Sequence, residues 1–270
     1  MAIVNRTPDS FYDKGAAFTD EDGLAAVDRA VTEGADLVDV GGVKAGPGDD
    51  VDIPAENDRV VPFITEIRRR HPGLVISVDT WRHEVGRAAC EAGADLINDT
   101  WAGADPKLAE IAAEFGAGFV CSHTGGATPR TRPFRVRYDD VVGDVVAETV
   151  AAAERAVALG VPREGVLIDP THDFGKNTWH SLELLRATRE LTGTGWPVLM
   201  ALSNKDFVGE TLGVELAERV DGTLAATALA ARDGAAMFRA HEVRRTRQVL
   251  EMVAAIDGQR PPAHATRGLA

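Results

Sequence analysis

Eight short apolar runs along 270 residues, helical periodicity between them, and a glycine recurring between helix and strand predict a single-domain α/β protein, a parallel (β/α)8 TIM barrel. The runs lie near Ala2 to Val4, Leu37 to Val40, Val75 to Val78, Leu96 to Ile97, Gly118 to Cys121, Val166 to Ile168, Val198 to Leu202 and Met237 to Ala240. Between them apolar residues fall at i, i+3 and i+4, as in Leu24, Val27, Ala30 and Val31 or Val85, Ala88, Ala89 and Ala92. Glu33-Gly34-Ala35-Asp36, Ala92-Gly93-Ala94-Asp95, Phe115-Gly116-Ala117-Gly118 and Asp233-Gly234-Ala235-Ala236 each place glycine where a left-handed backbone ends a helix. Strict alternation without a low-complexity linker implies one parallel sheet, and eight units close a barrel. A doubly wound open sheet is the alternative, but the G-x-G-x-x-G turn of that fold is missing after the first strand. The barrel is expected over residues 1–258, with its fifth helix in Asp139 to Leu159, followed by a loosely docked tail, 259–270, that contains Pro261-Pro262.

A hydrophobic content of 44% and a charged content of 26% suit a globular chain with a large core. The formal net charge of −13 and a pI near 5.0 exclude nucleic acid and an anionic membrane as main partners, while leaving room for a locally basic pocket that takes an anionic small molecule. Cys90 and Cys121 are expected as buried free thiols in a reduced compartment. MAIVNRTPD has neither the basic nor the apolar region of a signal peptide, and no apolar run approaches the ~18 residues of a membrane span. A cytoplasmic protein is expected.

Polar residues follow nearly every strand: Asn5, Gly41-Gly42, Asp79, Asn98-Asp99, His123, Asp169, Lys205, and Arg239 with His241. Such residues at the C-terminal ends of barrel strands belong to a ligand site more than to the scaffold. Taken singly, Asp79-Thr80 or Asp169-Pro170 has the simpler explanation of a helix cap or turn. Val198 to Gly209 is the clearest case, an apolar strand breaking at once into Ser203, Asn204, Lys205 and Asp206.

Seven motifs, in order, make the chain resemble dihydropteroate synthase, a pterin-binding barrel family, from Asn5 to His241. They are Asn5-Arg6-Thr7-Pro8-Asp9-Ser10-Phe11; Val38-Asp39-Val40-Gly41-Gly42 with Pro47-Gly48; Ser77-Val78-Asp79-Thr80; Glu91 to Asp99; Ile168-Asp169-Pro170 with Phe174-Gly175-Lys176-Asn177; Ser203-x-Lys205 with Gly209; and Arg239-x-His241. The resemblance implies a condensation of 6-hydroxymethyl-7,8-dihydropterin pyrophosphate with p-aminobenzoate, with Mg²⁺ assisting release of pyrophosphate. It implies that Asp79, Asn98, Asp169 and Lys205 hold the pterin. A carboxylate such as Asp169 suits the guanidine-like edge of that ring, Asn98 both donates and accepts, and Lys205 meets the ring carbonyl. Asp79 is expected to stabilise positive charge on the methylene carbon, and Asn5, Arg239 and His241 to receive the pyrophosphate, with Asn5 as the metal contact. Asp79, Lys205, Arg239 and His241 are thus the catalytic candidates. A homodimer through outer helices of the C-terminal half is also implied.

Departures cluster on the second-substrate side. Where the family usually reads G-G-E-S-T-R-P-G, this chain has Gly41-Gly42-Val43-Lys44-Ala45-Gly46-Pro47-Gly48, so a hydroxyl becomes Ala45 and a guanidinium becomes Gly46. Lys44 cannot copy a bidentate arginine fork. Where the family reads S-R-K-S, Asn204 replaces arginine and Asp206 replaces the serine that receives the p-aminobenzoate carboxylate at a helix start. Asp206 would cap that helix, and it also places a negative charge where an anion should dock. Two unit charges about 4 Å apart in a partly shielded site repel by about 4 kcal/mol, on the order of a thousandfold in affinity. Thr171-His172-Asp173 replaces a glycine-rich run, His123 keeps the family's strand-five histidine, and Arg6 is expected to add a cation near the pyrophosphate.

A synthase-like protein is therefore expected, with the pterin site kept, the p-aminobenzoate site altered, and condensation weak or absent. Alternatives are a fully active synthase with a rearranged p-aminobenzoate site, and a non-catalytic regulatory or partner-binding paralogue. A third, a metal-dependent barrel hydrolase using His123, His172, Asp169, Asp173 and His241, lacks the usual H-x-H pair on the first strand, where Val4-Asn5-Arg6 stands.

Overall fold

The computed structural model describes residues 1–7, 19–131 and 137–267; residues 8–11 of the first motif and the last three of the tail lie outside them. The described residues form eight parallel strands: β1 (Ala2–Asn5), β2 (Leu37–Gly41), β3 (Val75–Asp79), β4 (Leu96–Asp99), β5 (Gly118–Ser122), β6 (Val166–Asp169), β7 (Leu199–Met200) and β8 (Met237–Phe238). Each of β1 to β5 pairs with the next, β7 pairs with β8, and the bridges Ile168 to Val198 and Ala2 to Ala240 close the ring. The expected barrel is therefore the observed one.

The outer layer comprises α1 (Asp20–Thr32), α2 (Ile53–Arg70), α3 (His83–Glu91), α4 (Lys107–Phe115), α5 (Val141–Leu159), α6 (Thr178–Arg186), α7 (Thr188–Thr192), α8 (Asp206–Leu212), α9 (Val220–Arg232) and α10 (Val243–Ile256). Side-chain caps start several of these helices. Asp52 accepts from Ala55 N at 2.9 Å, Asp140 accepts from Gly143 N at 2.9 Å, and Asn177 forms a capping box with His180. The four repeated glycines, Gly34, Gly93, Gly116 and Gly234, all have φ between +62° and +111°, as their place before a strand requires. The barrel's sixth and seventh helical units are each split in two, α6 with α7 and α8 with α9, which the periodicity did not reveal. No helix among the described residues is long and apolar enough to cross a membrane.

Side chains alternate along a strand, so each strand presents one set to the helices and one to the barrel interior. Val38, Val40, Ile76, Val78, Ile97, Cys121 and Ile168 belong to the main core between strands and helices. Leu37, Leu96, Val120, Leu167, Leu199 and Ala201 form a second cluster that fills the barrel interior. Two residues further along the same inner face stand Asp39, Asn98, Ser122 and Asp169. The interior thus turns from apolar to polar towards the C-terminal ends of the strands, and this gradient positions the site. Cys90 and Cys121 are free and buried, as expected.

Candidate functional site

Asp39 is the hub of the polar interior. Its side chain has no solvent exposure, and it accepts from Ser77 Oγ at 2.5 Å, Asn98 Nδ2 at 3.0 Å and Arg239 Nε at 2.6 Å. The same guanidinium donates through Nη2 to Asp79 Oδ2 at 2.7 Å, and Thr100 Oγ1 donates to Asp79 Oδ1 at 3.0 Å. β2, β3, β4 and β8 are therefore tied across the barrel by an arginine held between two carboxylates. Burial pushes the Asp79 carboxyl up to about 7 against the pull of Arg239, while Asp39 adds like charge. The two carboxylates raise the Arg239 guanidinium above its usual range despite burial. Asn98 Oδ1 is buried with no hydrogen-bond partner, an acceptor set in the middle of this network.

Asn5 and Asp79 approach one another over Gly41. A Cβ on that glycine would stand 3.7 Å from Asn5 Oδ1 and 3.9 Å from Asp79 Oδ2. His241 is half-buried beyond β8, with its backbone N–H donating to Ser203 Oγ at 3.1 Å. Burial, followed by Arg239, lowers its imidazole to about 3, so the ring is neutral near pH 7.

Across the mouth, Asp169 accepts from Thr171 N at 2.6 Å, and burial raises its carboxyl while Lys205 pulls it down most strongly among its neighbours. Lys205 donates to the His172 carbonyl and sits 4.6 Å from the centre of the Phe174 ring, which meets Trp101 edge-on at 5.2 Å. Burial lowers the ammonium of Lys205. Lys176 is more deeply buried and donates to the carbonyls of His123 at 2.8 Å, Phe174 at 3.0 Å and Thr171 at 3.3 Å; burial lowers it to about 7. Gly175 has φ +64°, and a Cβ there would stand 1.9 Å from the Thr124 carbonyl oxygen, which explains its place in the Phe174-Gly175-Lys176 run.

The loop after β6 keeps a glycine-like path without the glycines. Thr171 and Asp173 have φ of +52° and +69°. Residues other than glycine in this region carry strain of about 1–3 kcal/mol each. Local bonds hold them. Thr171 Oγ1 donates to the Asp169 carbonyl at 2.9 Å and accepts from His123 N at 3.1 Å; Asp173 accepts from Phe207 N at 3.3 Å and Ser181 Oγ at 3.3 Å. Asp173 thereby places a carboxylate of the chain's own at the start of α8. Between these two residues, the His172 imidazole is fully buried, and neither ring nitrogen has a partner.

Several sequence expectations need correction. Arg6 was expected beside the pyrophosphate. Its guanidinium instead lies 4.3 Å from the centre of the Phe63 ring, donates to the Thr19 carbonyl at 2.6 Å and pairs with Asp20. Gly23 of α1 makes room for it, since a Cβ there would stand 2.8 Å from Arg6 Nη1. Asp206 was expected to cap the seventh barrel helix. It is the first residue of α8, after Lys205 as N-cap, and makes no cap bond; its exposed carboxylate accepts from Arg219 Nη1 at 2.8 Å. That partner neutralises much of the charge expected to repel an anion. Asn204 is buried with φ +55°. Its Oδ1 accepts from Thr223 Oγ1 at 3.4 Å, and its Nδ2 has no partner, so it faces α9 and not the mouth. Ala45, Gly46 and Lys44 lie in the loop after β2, which is held at its two ends by Arg59 donating to the Gly42 carbonyl at 2.8 Å and Arg82 donating to that of Val51 at 2.7 Å. His123 shares the strand parity of Phe119 and Cys121 and faces α5. Among the described residues, the five of the hydrolase reading form no shared cluster of ligand atoms.

Asp39, Thr100 and Trp101 were not singled out as site residues. An aspartate inside the apolar run Leu37-Val38-Asp39-Val40, two residues on from an inward leucine, was the available signal for the first. Nothing in the local pattern marks the other two.

The model of the pterin binding enzyme family matches residues 1–241. A Mycobacterium leprae protein named "Inactive dihydropteroate synthase 2" is 68% identical over all of this chain and 94% of its own length. The Escherichia coli K12 protein named dihydropteroate synthase is 35% identical over 94% of this chain and 90% of its own. A crystal structure of Yersinia pestis dihydropteroate synthase with a sulfonamide drug complex superposes with a TM-score of 0.90 at 34% identity, covering 96% of this chain and 94% of that one. The chain belongs to the family of pterin-binding barrel enzymes that includes the dihydropteroate synthases.

Proposed function

We propose that the protein binds a pterin or pterin pyrophosphate in the polar end of the barrel and condenses it with p-aminobenzoate weakly or not at all. The observation that carries this reading is the inward polar row of Asp39, Asp79, Asn98 and Asp169, with the Asn98 acceptor left without a partner inside it. Asn98, Asp169 and Lys205 would hold the heterocycle, with Phe174 and Trp101 as an apolar wall. Arg239 and His241 would receive the pyrophosphate. Mg²⁺ would arrive with that group, and Asn5 offers the kind of oxygen ligand it prefers. When bound, the ion would supply charge stabilisation to the leaving phosphate oxygens.

Two features support weak chemistry. The second-substrate side has lost the hydroxyl and guanidinium replaced by Ala45 and Gly46, and the start of α8 is taken by Asp173. The name of the 68% identical Mycobacterium leprae relative, inactive dihydropteroate synthase 2, points the same way. Homodimerisation is part of the proposal, supported by Leu229 of α9 with Met252 and Ile256 of α10, large apolar side chains that are 60–65% exposed.

Reversion tests the reading. Ala45→Thr, Gly46→Arg and Asp206→Ser together are expected to raise product formation from pterin pyrophosphate and p-aminobenzoate at least tenfold. Turnover at an ordinary family rate by the unmodified protein would overturn the proposal.

A further inference from the structure

We propose that His123, Asp144 and Glu148 form a binding site for a zinc-class divalent metal ion on the helix-facing side of the barrel wall, separate from the polar interior. His123 follows β5 and points outward by strand parity. Asp144 and Glu148 lie one turn apart on the facing side of α5, where i and i+4 residues share a face. His123 Nε2 is 3.1 Å from Asp144 Oδ2 and 3.4 Å from Glu148 Oε2, and the three donor atoms all lie within 4.8 Å of one another. Ligands of a tetrahedral zinc ion with bonds near 2.0–2.1 Å are spaced by about 3.3 Å, so closure around an ion needs little movement.

One imidazole N–H needs one acceptor. Here two carboxylates converge on it, Asp144 at 3.1 Å and Glu148 at 3.4 Å from Nε2. A divalent cation resolves this crowding, whereas a hydrogen bond satisfies only half of it. The imidazole is fully buried, while the Asp144 and Glu148 side chains are 43% and 56% exposed, so one side stays open to entry and to water ligands. A nitrogen with two carboxylate oxygens suits zinc better than magnesium, which takes oxygen ligands.

His123 Nδ1 is buried without a partner. A metal-bound histidine ordinarily donates from its second nitrogen, and lack of that support lowers affinity about 10–100-fold. The site is thus an exchangeable one, weaker than a closed structural zinc centre. Occupancy would brace α5 against the β6 loop, because the His123 carbonyl receives Lys176 and its N–H donates to Thr171.

Zinc titration of the untagged full chain by calorimetry, with Co²⁺ absorption as a spectroscopic check, tests the site. One equivalent is expected to bind saturably and to raise the melting temperature. Glu148→Gln and Asp144→Asn, both at partly exposed positions that leave the core intact, should each weaken binding at least tenfold, whereas His83→Ala should not. Absence of saturable binding would overturn the proposal. So would binding unchanged in both carboxylate variants, or binding lost in His83→Ala, which would assign the ion to the His83, Glu84 and Asp105 cluster.

Discussion

The two sides of the barrel mouth differ in how their polar groups are satisfied. On the side built by β2, β3, β4 and β8, Asp39 and Asp79 each hold several donors, and Arg239 closes the circuit on rigid strand ends. On the side built by the loops after β6 and β7, Thr171, Asp173 and Asn204 occupy left-handed backbone, and His172 and Asn204 bury nitrogens without partners. Both sides are buried and polar, so burial does not separate them. The first centres on two carboxylates that share Arg239, with Asn98 Oδ1 and Trp101 Nε1 unpartnered and Ala102 left-handed beyond β4, while the second keeps a left-handed path at three non-glycine residues. The proposed pterin residues Asp169 and Lys205 stand on the second side and the altered Ala45 and Gly46 follow β2 on the first, so each side carries part of both subsites.

Removing the hub should do the greatest damage. Asp39→Ala leaves Arg239 and Asn98 without their shared acceptor, and a loss of about 3–5 kcal/mol in denaturant unfolding is expected. A much smaller loss would break the contrast, since the network would then be dispensable.

Proton linkage at Asp79 comes next. Its carboxyl is raised from 3.8 to about 7, so between those values the folded protein holds a proton that the unfolded chain has released. The contribution of this group to stability is fully present at low pH, falls as pH rises towards 7 by up to about 1.4 kcal/mol per unit, and is flat above. The stability of wild type relative to Asp79→Asn should follow that course in unfolding measured from pH 4 to 8.

The opposite side should respond in the opposite sense. His172→Leu replaces two unpartnered buried nitrogens with apolar volume and is expected to stabilise by about 1–3 kcal/mol. Its melting temperature should rise, and a fall would show that the imidazole has a structural duty. Asp173→Gly should change stability least, within about 1 kcal/mol, because relief of backbone strain offsets the lost bonds to Ser181 and Phe207. Its use is functional: it clears the carboxylate from the start of α8, and affinity for p-aminobenzoate in calorimetry should rise.

The barrel was legible because parallel strands, terminal glycines and amphipathic helices leave local patterns, and each of the eight apolar runs became a strand or its immediate flank. The identities of the strand-end residues were legible for the same reason, since parity assigns Asp79, Asn98, Asp169 and Arg239 to the interior. Parity also assigns His123 to the helices, a reading that the sequence permitted and that its motif context obscured. Contacts between distant segments were not legible. Arg219 neutralising Asp206, Phe63 and Gly23 receiving Arg6, and Asp173 reaching the start of α8 all depend on how loops fold back across 13 to 57 residues of chain, where no periodic signal operates.

Pterin binding kept with condensation lost is tested most directly by calorimetric titration with 6-hydroxymethyl-7,8-dihydropterin pyrophosphate in the presence of Mg²⁺, followed by p-aminobenzoate. Saturable binding of the first ligand, with little or no further heat and little product on adding the second, is the predicted result. Failure of the pterin to bind, or tight binding of p-aminobenzoate with rapid release of pyrophosphate, would contradict it.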